Sequence, residues 1–241
     1  MEVWGVTDRG VVREENQDAY TFEALSAQQY VAVVCDGMGG ARAGKVASNI
    51  AVETYMSSFC RLWQEGQRSA PVLMECAAAS ANEAVHHRST TDSECFGMGT
   101  TMVCVFLDGR HATVLNEGDS RVYHVTPDSI VQVTRDHSLV EDLVRRGDLT
   151  PDQARFHPHK NLITRALGAE PALNADLFEL DVNPGEYFVL CSDGLSNVVS
   201  EQEILYEILH GGPAEDCCGR LLDIAIKRGA PDNVTVVLMQ C

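Results

Sequence analysis

Apolar residues along this chain change their spacing several times, and each change marks an element. Tyr30 to Cys35 is a near-continuous, β-branched apolar run ending at Asp36, which predicts a strand buried on both faces. Val46, Ile50, Ala51, Tyr55 and Phe59 then recur at helical spacing, predicting a helix from Gly44 to about Gly66. Leu73, Ala77, Ala81 and Val85 repeat at four-residue steps, predicting a second helix opened by Pro71 and running to about Arg88. The texture then turns to short strands at Thr100–Leu107, His111–Asn116, Arg121–Val125 and Ile130–Thr134. The turn signals Asp108-Gly109, Glu117-Gly118-Asp119 and Pro127-Asp128 between them predict an antiparallel meander. Residues 138–160 are polar and predict one or two short helices, with Thr150-Pro151-Asp152-Gln153 as a capped start. Leu177–Val182 and Tyr187–Cys191 form a hairpin about Asn183-Pro184-Gly185. Ser200-Glu201-Gln202-Glu203 opens a helix to about Leu209, and another runs from Pro213 to about Arg228. Val3–Thr7 and Val234–Met239 read as the first and last strands.

Hairpin turns in place of βαβ crossovers predict an α+β chain with antiparallel sheets. Hydrophobic residues make up 45% of the 241, enough for a substantial core, so disorder is excluded. No run of eighteen apolar residues predicts a membrane span, and the N-terminus lacks the basic and apolar regions of a secretory signal. The formal charge of −17 argues against nucleic acid as a partner. The nine cysteines include no CxxC pair, and Cys35 and Cys104 stand inside strand-like runs. They read as buried reduced thiols, as expected in a cytoplasmic protein, rather than as a disulfide framework or zinc site.

Candidate chemistry lies in separated Asp segments: Asn16-Gln17-Asp18, Asp36-Gly37-Met38-Gly39-Gly40, Gly118-Asp119-Ser120-Arg121, Ser192-Asp193-Gly194 and Pro231-Asp232-Asn233. Each Asp is expected to end or directly follow a strand. An Asp beside Gly at a strand end aims a carboxylate while letting backbone approach closely. Carboxylates gathered at one point repel unless a cation neutralises them, and an all-oxygen set suits Mg²⁺ or Mn²⁺ rather than zinc. Alone, each Asp-Gly is more often a turn or a cap. Because the Asps come from both ends of the chain, their convergence requires first and last strands in one core, hence a single domain over 1–241.

These segments, with Arg13, Gly99-Thr100-Thr101 and Asp136-His137-Ser138, occur in the order found in the PPM/PP2C family of metal-dependent protein Ser/Thr phosphatases, which the chain resembles over its whole length, most closely in the compact bacterial members. The resemblance implies a four-layer αββα sandwich, two antiparallel sheets flanked by helices. It implies a site for two Mn²⁺ or Mg²⁺ ions: Asp36 bridging both, Asp193 and Asp232 on the first, Asp18 and the Gly37 carbonyl on the second. Asp119, with Asp193, would hold a weaker third ion. Arg13, five residues before Asp18, would grip the substrate phosphate, the plainer reading being a surface arginine paired with Glu14 or Glu15. The implied activity is hydrolysis of phosphoserine and phosphothreonine in proteins by hydroxide shared between the ions, in a monomer that opposes Ser/Thr kinases.

The chain also departs from the family pattern. Met38 stands where many eukaryotic relatives have histidine, and Gly40-Ala41-Arg42-Ala43-Gly44 supplies none. The leaving-group proton is then left to water on the metals or to His137, His157 or His159, which qualify by type only; His137 reads as a structural hydrogen-bonding residue. Asn197 replaces an Asp that some relatives use at the third metal. Residues 141–168 correspond to the family's variable flap, whose Arg145, Arg146 and Lys160 either guide phosphopeptides or solvate a helix face. Two other readings remain at this stage: a phosphatase of small phosphate esters, and a non-catalytic pseudophosphatase, against which the full Asp set stands. No Cys-x5-Arg signature offers a phosphocysteine route.

Overall fold

Alternate residues of one strand enter two different cores. In β3 (Gln29–Met38), Val31, Val33 and Cys35 pack beneath helices, while Ala32 and Val34 face an opposing sheet. Both faces are therefore covered, and the apolar run is continuous for that reason. The computed structural model describes residues 1–40 and 43–241, side chains of Pro151 and Arg155 excepted. The stretch Gly40 to Gly44, read for its want of histidine, includes Ala41 and Arg42, which lie outside the described residues.

One sheet joins β2 (Asp18–Ser26), β3, β5 (Met102–Asp108), β6 (His111–Glu117) and β9 (Asp176–Asp181) in that order, with β4 (Gly99–Thr100) paired to β3. The other runs β1 (Glu2–Asp8), β11 (Val234–Gln240), β10 (Tyr187–Cys191), β7 (Arg121–Val125) and β8 (Ile130–Gln132). All these pairings are antiparallel. Between the sheets lies a core that includes Val103, Val105, Phe188, Leu190, Val237 and Met239. The long helices α1 (Ala43–Gln64) and α2 (Ala70–Thr91) cover the outer face of the first sheet through Tyr55, Phe59, Leu73 and Ala81. The helices α6 (Glu201–His210) and α7 (Cys217–Lys227) cover the second through Ile204, Ile208, Leu221 and Ala225. The result is the expected αββα sandwich. The Ser200 and Thr150 capping boxes both form, the latter opening α4 (Pro151–Arg155). Ser138 caps α3 (Leu139–Arg146), which ends at left-handed Gly147.

Four local expectations are corrected. Strands 177–182 and 187–191 do not form a hairpin: β9 pairs with β6 in the first sheet and β10 with β7 and β11 in the second, so the Asn183-Pro184-Gly185 turn crosses between sheets. The meander is split in the same way, β5 and β6 lying in the first sheet and β7 and β8 in the second, because apolar residues on both faces of these strands need a sheet on each side. Asp18 does not end a strand but opens β2, an edge strand missed because its residues are mostly half-buried and carry no clean alternation. Asp232 likewise precedes its strand, β11. All nine cysteines are free thiols, six of them buried. Burial pushes Cys191 and Cys218 up to about 12, so they remain protonated, apolar filling. No helix among the described residues is long and apolar enough to cross a membrane.

Candidate active site

Strand pairing brings the first two acids together, since Asp18 of β2 lies directly opposite Asp36 of β3 in the ladder. The Asp36 backbone is held on both sides. Its N–H donates to Thr101 Oγ1 at 2.9 Å, and its carbonyl accepts from Thr100 Oγ1 and Thr101 N, each at 2.8 Å. Thr101 Oγ1 in turn meets Ser120 Oγ at 2.7 Å, linking this clamp to the turn that carries Asp119. The Asp18 carboxylate is anchored through one oxygen only. Oδ2 accepts from Ser192 Oγ and Thr235 Oγ1, both at 2.7 Å. Thr235 Oγ1 also touches Thr7 Oγ1 at 2.7 Å, which accepts from Asn16 Nδ2.

The C-terminal acids come from the second sheet. Asp193 follows β10 and opens the short helix α5 (Asp193–Ser196). The backbone there runs close to the strand entry: a Cβ on Gly194 would lie 1.8 Å from the Asn233 carbonyl oxygen, so only glycine fits. Asn233 fastens the loop bearing Arg13. Its Oδ1 accepts from Gln17 N at 2.8 Å, and its Nδ2 donates to the Arg9 and Glu15 carbonyls at 2.9 Å. A second close approach joins Gly37 to Gly44 at the start of α1, where a Cβ on Gly37 would fall 2.0 Å from the Gly44 oxygen.

Burial and mutual repulsion set the electrostatics. Asp36 is pushed well above the usual carboxylate range, first by burial and then by Asp18, Asp193, Asp119 and Asp232. Asp18 rises to about 7, burial and the fields of Asp193 and Asp232 outweighing its hydrogen bonds from Thr235 and Ser192. Asp119 also rises to about 7, through burial, Asp193 and Asp136. Asp193 is raised by burial and by Asp232. Asp18 Oδ1 and Asp193 Oδ1 are buried without a hydrogen-bond partner. Unpartnered buried oxygens within a ring of repelling carboxylates are costly unless a cation completes them, and a hard, water-carrying divalent ion suits such a set. Among the described residues no three Cys, His, Asp or Glu groups close into a ready-made cage. The donors are all oxygens, a set that suits ions keeping much of their own water rather than a four-ligand zinc.

The other sequence candidates fall into place around this pole. Arg13 Nη2 lies 2.7 Å from Asp232 Oδ2, so its partner is an acid of the site rather than Glu14 or Glu15. Asn197 turns its Nδ2 toward Asp193 Oδ2 at 3.0 Å. Its amide N–H₂ thus donates to a carboxylate of the site, the end of the amide that a carboxylate can accept from. His137 is spent on structure: its Nδ1 accepts from Gly118 N at 3.0 Å, and its Nε2 faces Asp176 Oδ2 at 3.2 Å. Burial lowers its pKa, which keeps it neutral. His157 Nδ1 accepts from His159 N on the surface. In the flap, Arg145 pairs with Asp142 at 3.4 Å, whereas the Lys160 charge acts on Asp193.

Sequence reasoning gave no role to Thr101, Ser192, Thr235 or the Asn233 amide. Thr101 and Ser192 adjoin motif residues, and that adjacency was the only signal available for them.

The family model described as "Protein phosphatase 2C" matches residues 11–216. The serine/threonine phosphatase stp of Listeria innocua is 33% identical over 243 residues, covering 97% of this chain and 93% of that protein. PstP of Mycobacterium tuberculosis is 33% identical over 237 residues, which cover 96% of this chain and 43% of the longer PstP. The crystal structure of Stp1 from Staphylococcus aureus superposes with a TM-score of 0.91 at 34% identity, covering 100% of this chain and 94% of that one. The catalytic domain of PstP in complex with two manganese ions gives a TM-score of 0.84 at 30% identity, covering 98% and 96%. With this breadth of match in sequence and in fold, the chain belongs to the protein phosphatase 2C family.

Proposed function

We propose that the acidic pole hydrolyses phosphoserine and phosphothreonine in proteins with the help of divalent cations. The observation that carries this reading is the set of buried and half-buried, mutually repelling carboxylates with two unpartnered oxygens, in a chain of this family. Asp36, Asp193, Asp232, Asp18 and the Gly37 carbonyl would hold two such ions, and Asp119 with Asp193 would hold a weaker third. Bound Mn²⁺ or Mg²⁺ supplies the charge that makes water a nucleophile at neutral pH and draws electrons from the phosphate.

The remaining work belongs to the chain. Arg13, at the rim beside Asp232, turns its guanidinium fork to two phosphate oxygens and fixes the ester for attack in line. The Thr100–Thr101 clamp and the Ser192–Thr235 pair hold Asp36 and Asp18 in place, so no reorganisation is needed as charge develops. Met38 has no proton to give and both His137 nitrogens are engaged, so neither side chain would protonate the departing alkoxide.

The unit spans 1–241, acts as a monomer on the targets of a Ser/Thr kinase, and works in the reducing cytoplasm that suits nine free thiols. The test is an assay of chelator-stripped protein reloaded with Mn²⁺ or Mg²⁺, against phosphoserine and phosphothreonine peptides and a panel of small phosphate esters. Metal-dependent turnover of the peptides is expected. Full activity in excess EDTA overturns the metal role, and turnover of esters alone overturns the protein substrate.

A further inference from the structure

Nine large apolar side chains are exposed among the described residues, and four of them stand on just two short segments, as Val11, Val12, Phe156 and Leu162. Isolated exposed hydrophobics are ordinary, but concentration beside a site is not. Val11 and Val12 are 59% and 67% exposed, and they immediately precede Arg13, whose guanidinium touches Asp232. Val11 N donates to the Ala230 carbonyl, which fixes this lip against the strand entry carrying Asp232.

Phe156 and Leu162 are 88% and 52% exposed and belong to the flap. That segment is tied to the centre by a short chain of hydrogen bonds. Leu139 N donates to the Leu162 carbonyl, Thr164 N to the His137 carbonyl, and His137 N to the Gly118 carbonyl, next to Asp119. Lys160, between the two apolar residues, is close enough for its charge to act on Asp193. So an apolar pair and a cation stand together on each of two segments tied to the acidic centre: Val11, Val12 and Arg13 on one, Phe156, Leu162 and Lys160 on the other.

Resting on the phosphatase reading, we propose that these two lips select phosphoproteins in which apolar side chains flank the phosphorylated residue. The two cations face the phosphate, and the apolar pairs lose water to the neighbouring substrate residues. A chain of formal charge −17 repels acid-rich flanks and draws basic ones at long range, so apolar contact is an attraction separate from charge and is tested at equal peptide charge.

The test uses the Mn²⁺-loaded full chain and two phosphothreonine peptides of equal length and charge, one with Leu and Val beside the phosphothreonine and one with Ser and Gly. The apolar peptide is expected to have a kcat/KM about tenfold higher. In the double variant Val12→Ser with Phe156→Ser the ratio should fall to about one, while p-nitrophenyl phosphate, too small to reach the lips, is turned over as before. Both side chains are exposed, so folding is not at stake, and an unchanged Tm checks this. No preference in the unaltered chain, or a preference that survives in the variant, overturns the proposal. Failure to turn over p-nitrophenyl phosphate and both peptides brings down the phosphatase reading itself and the lips with it.

Discussion

Asp119 and Asn197 separate what a residue's type suggests from what its contacts allow. Asp119 is half-buried and carries the field of Asp193, while the Asn197 amide donates to the Asp193 carboxylate. The Asp119→Asn variant should therefore keep two Mn²⁺ ions and substrate binding yet lose most of kcat, read by calorimetry beside steady-state kinetics; normal kcat would make Asp119 a turn residue. If Asp36 is shared between two ions, the Asp36→Asn variant should lower kcat more than about a hundredfold, since it removes a ligand charge rather than a supporting contact. Wild-type kcat at saturating metal would remove Asp36 from the centre. Arg13→Ala is expected to raise KM about tenfold with the ion count unchanged, for loss of a charge-assisted fork to phosphate. Equal kinetics on a phosphopeptide and an aryl phosphate would leave Arg13 as a partner of Asp232 alone.

At the scale of elements, the site depends on close passages of backbone. Gly194 brings the start of α5 against the entry to β11, and a methyl group there would collide with the Asn233 carbonyl rather than with a side chain that could swing away. Gly194→Ala should cost about 1–3 kcal/mol, or a Tm lower by about 3–10 °C, and should weaken Mn²⁺ binding by displacing Asp193. An unchanged Tm would show that the junction has slack. The elements were largely legible beforehand. The run Tyr30–Cys35 read as a strand covered on both faces and Val234–Met239 as the closing strand, and the repeats of α1 and α2 kept their period for more than three turns. β2 was not legible, because an edge strand buries too little to leave a period. The Asp segments were legible as a set, since Asp-Gly at a strand end has a geometric use. The hydroxyls holding them were not, because Ser and Thr are at home anywhere, and the 217-residue separation of Asp18 from Thr235 exists only after folding.

For the whole molecule, the crowded acids make stability depend on pH in an unusual sense. Asp18 and Asp119 ionise near 3.8 when unfolded and only at about 7 in the fold. Between those values the folded state binds more protons than the unfolded one, so stability falls as pH rises. The stabilising share is complete below about pH 4 and is lost as pH passes 7. Paired acids such as Asp176 and Glu186, held below their usual values, act in the opposite sense at the acid end. Comparison with and without metal isolates the centre. The chelated protein should lose Tm from pH 5 to 7.5, and saturating Mn²⁺ should flatten that slope and raise Tm most at the upper end. Identical slopes in both states would mean that these acids do not face the ions.

The place of β11 in its sheet has a consequence in time. β1 has β11 as its one neighbour, and β11 lies between β1 and β10 although it is the last of the eleven strands to be synthesised. Until residues 232–240 leave the ribosome, the opening strand has nothing to pair with, the Arg13 loop lacks its Asn233 fastening, and Asp18 lacks Thr235. A chain truncated before Asp232 is therefore expected to leave the acidic centre unassembled, which calorimetry with Mn²⁺ on such a truncation would check.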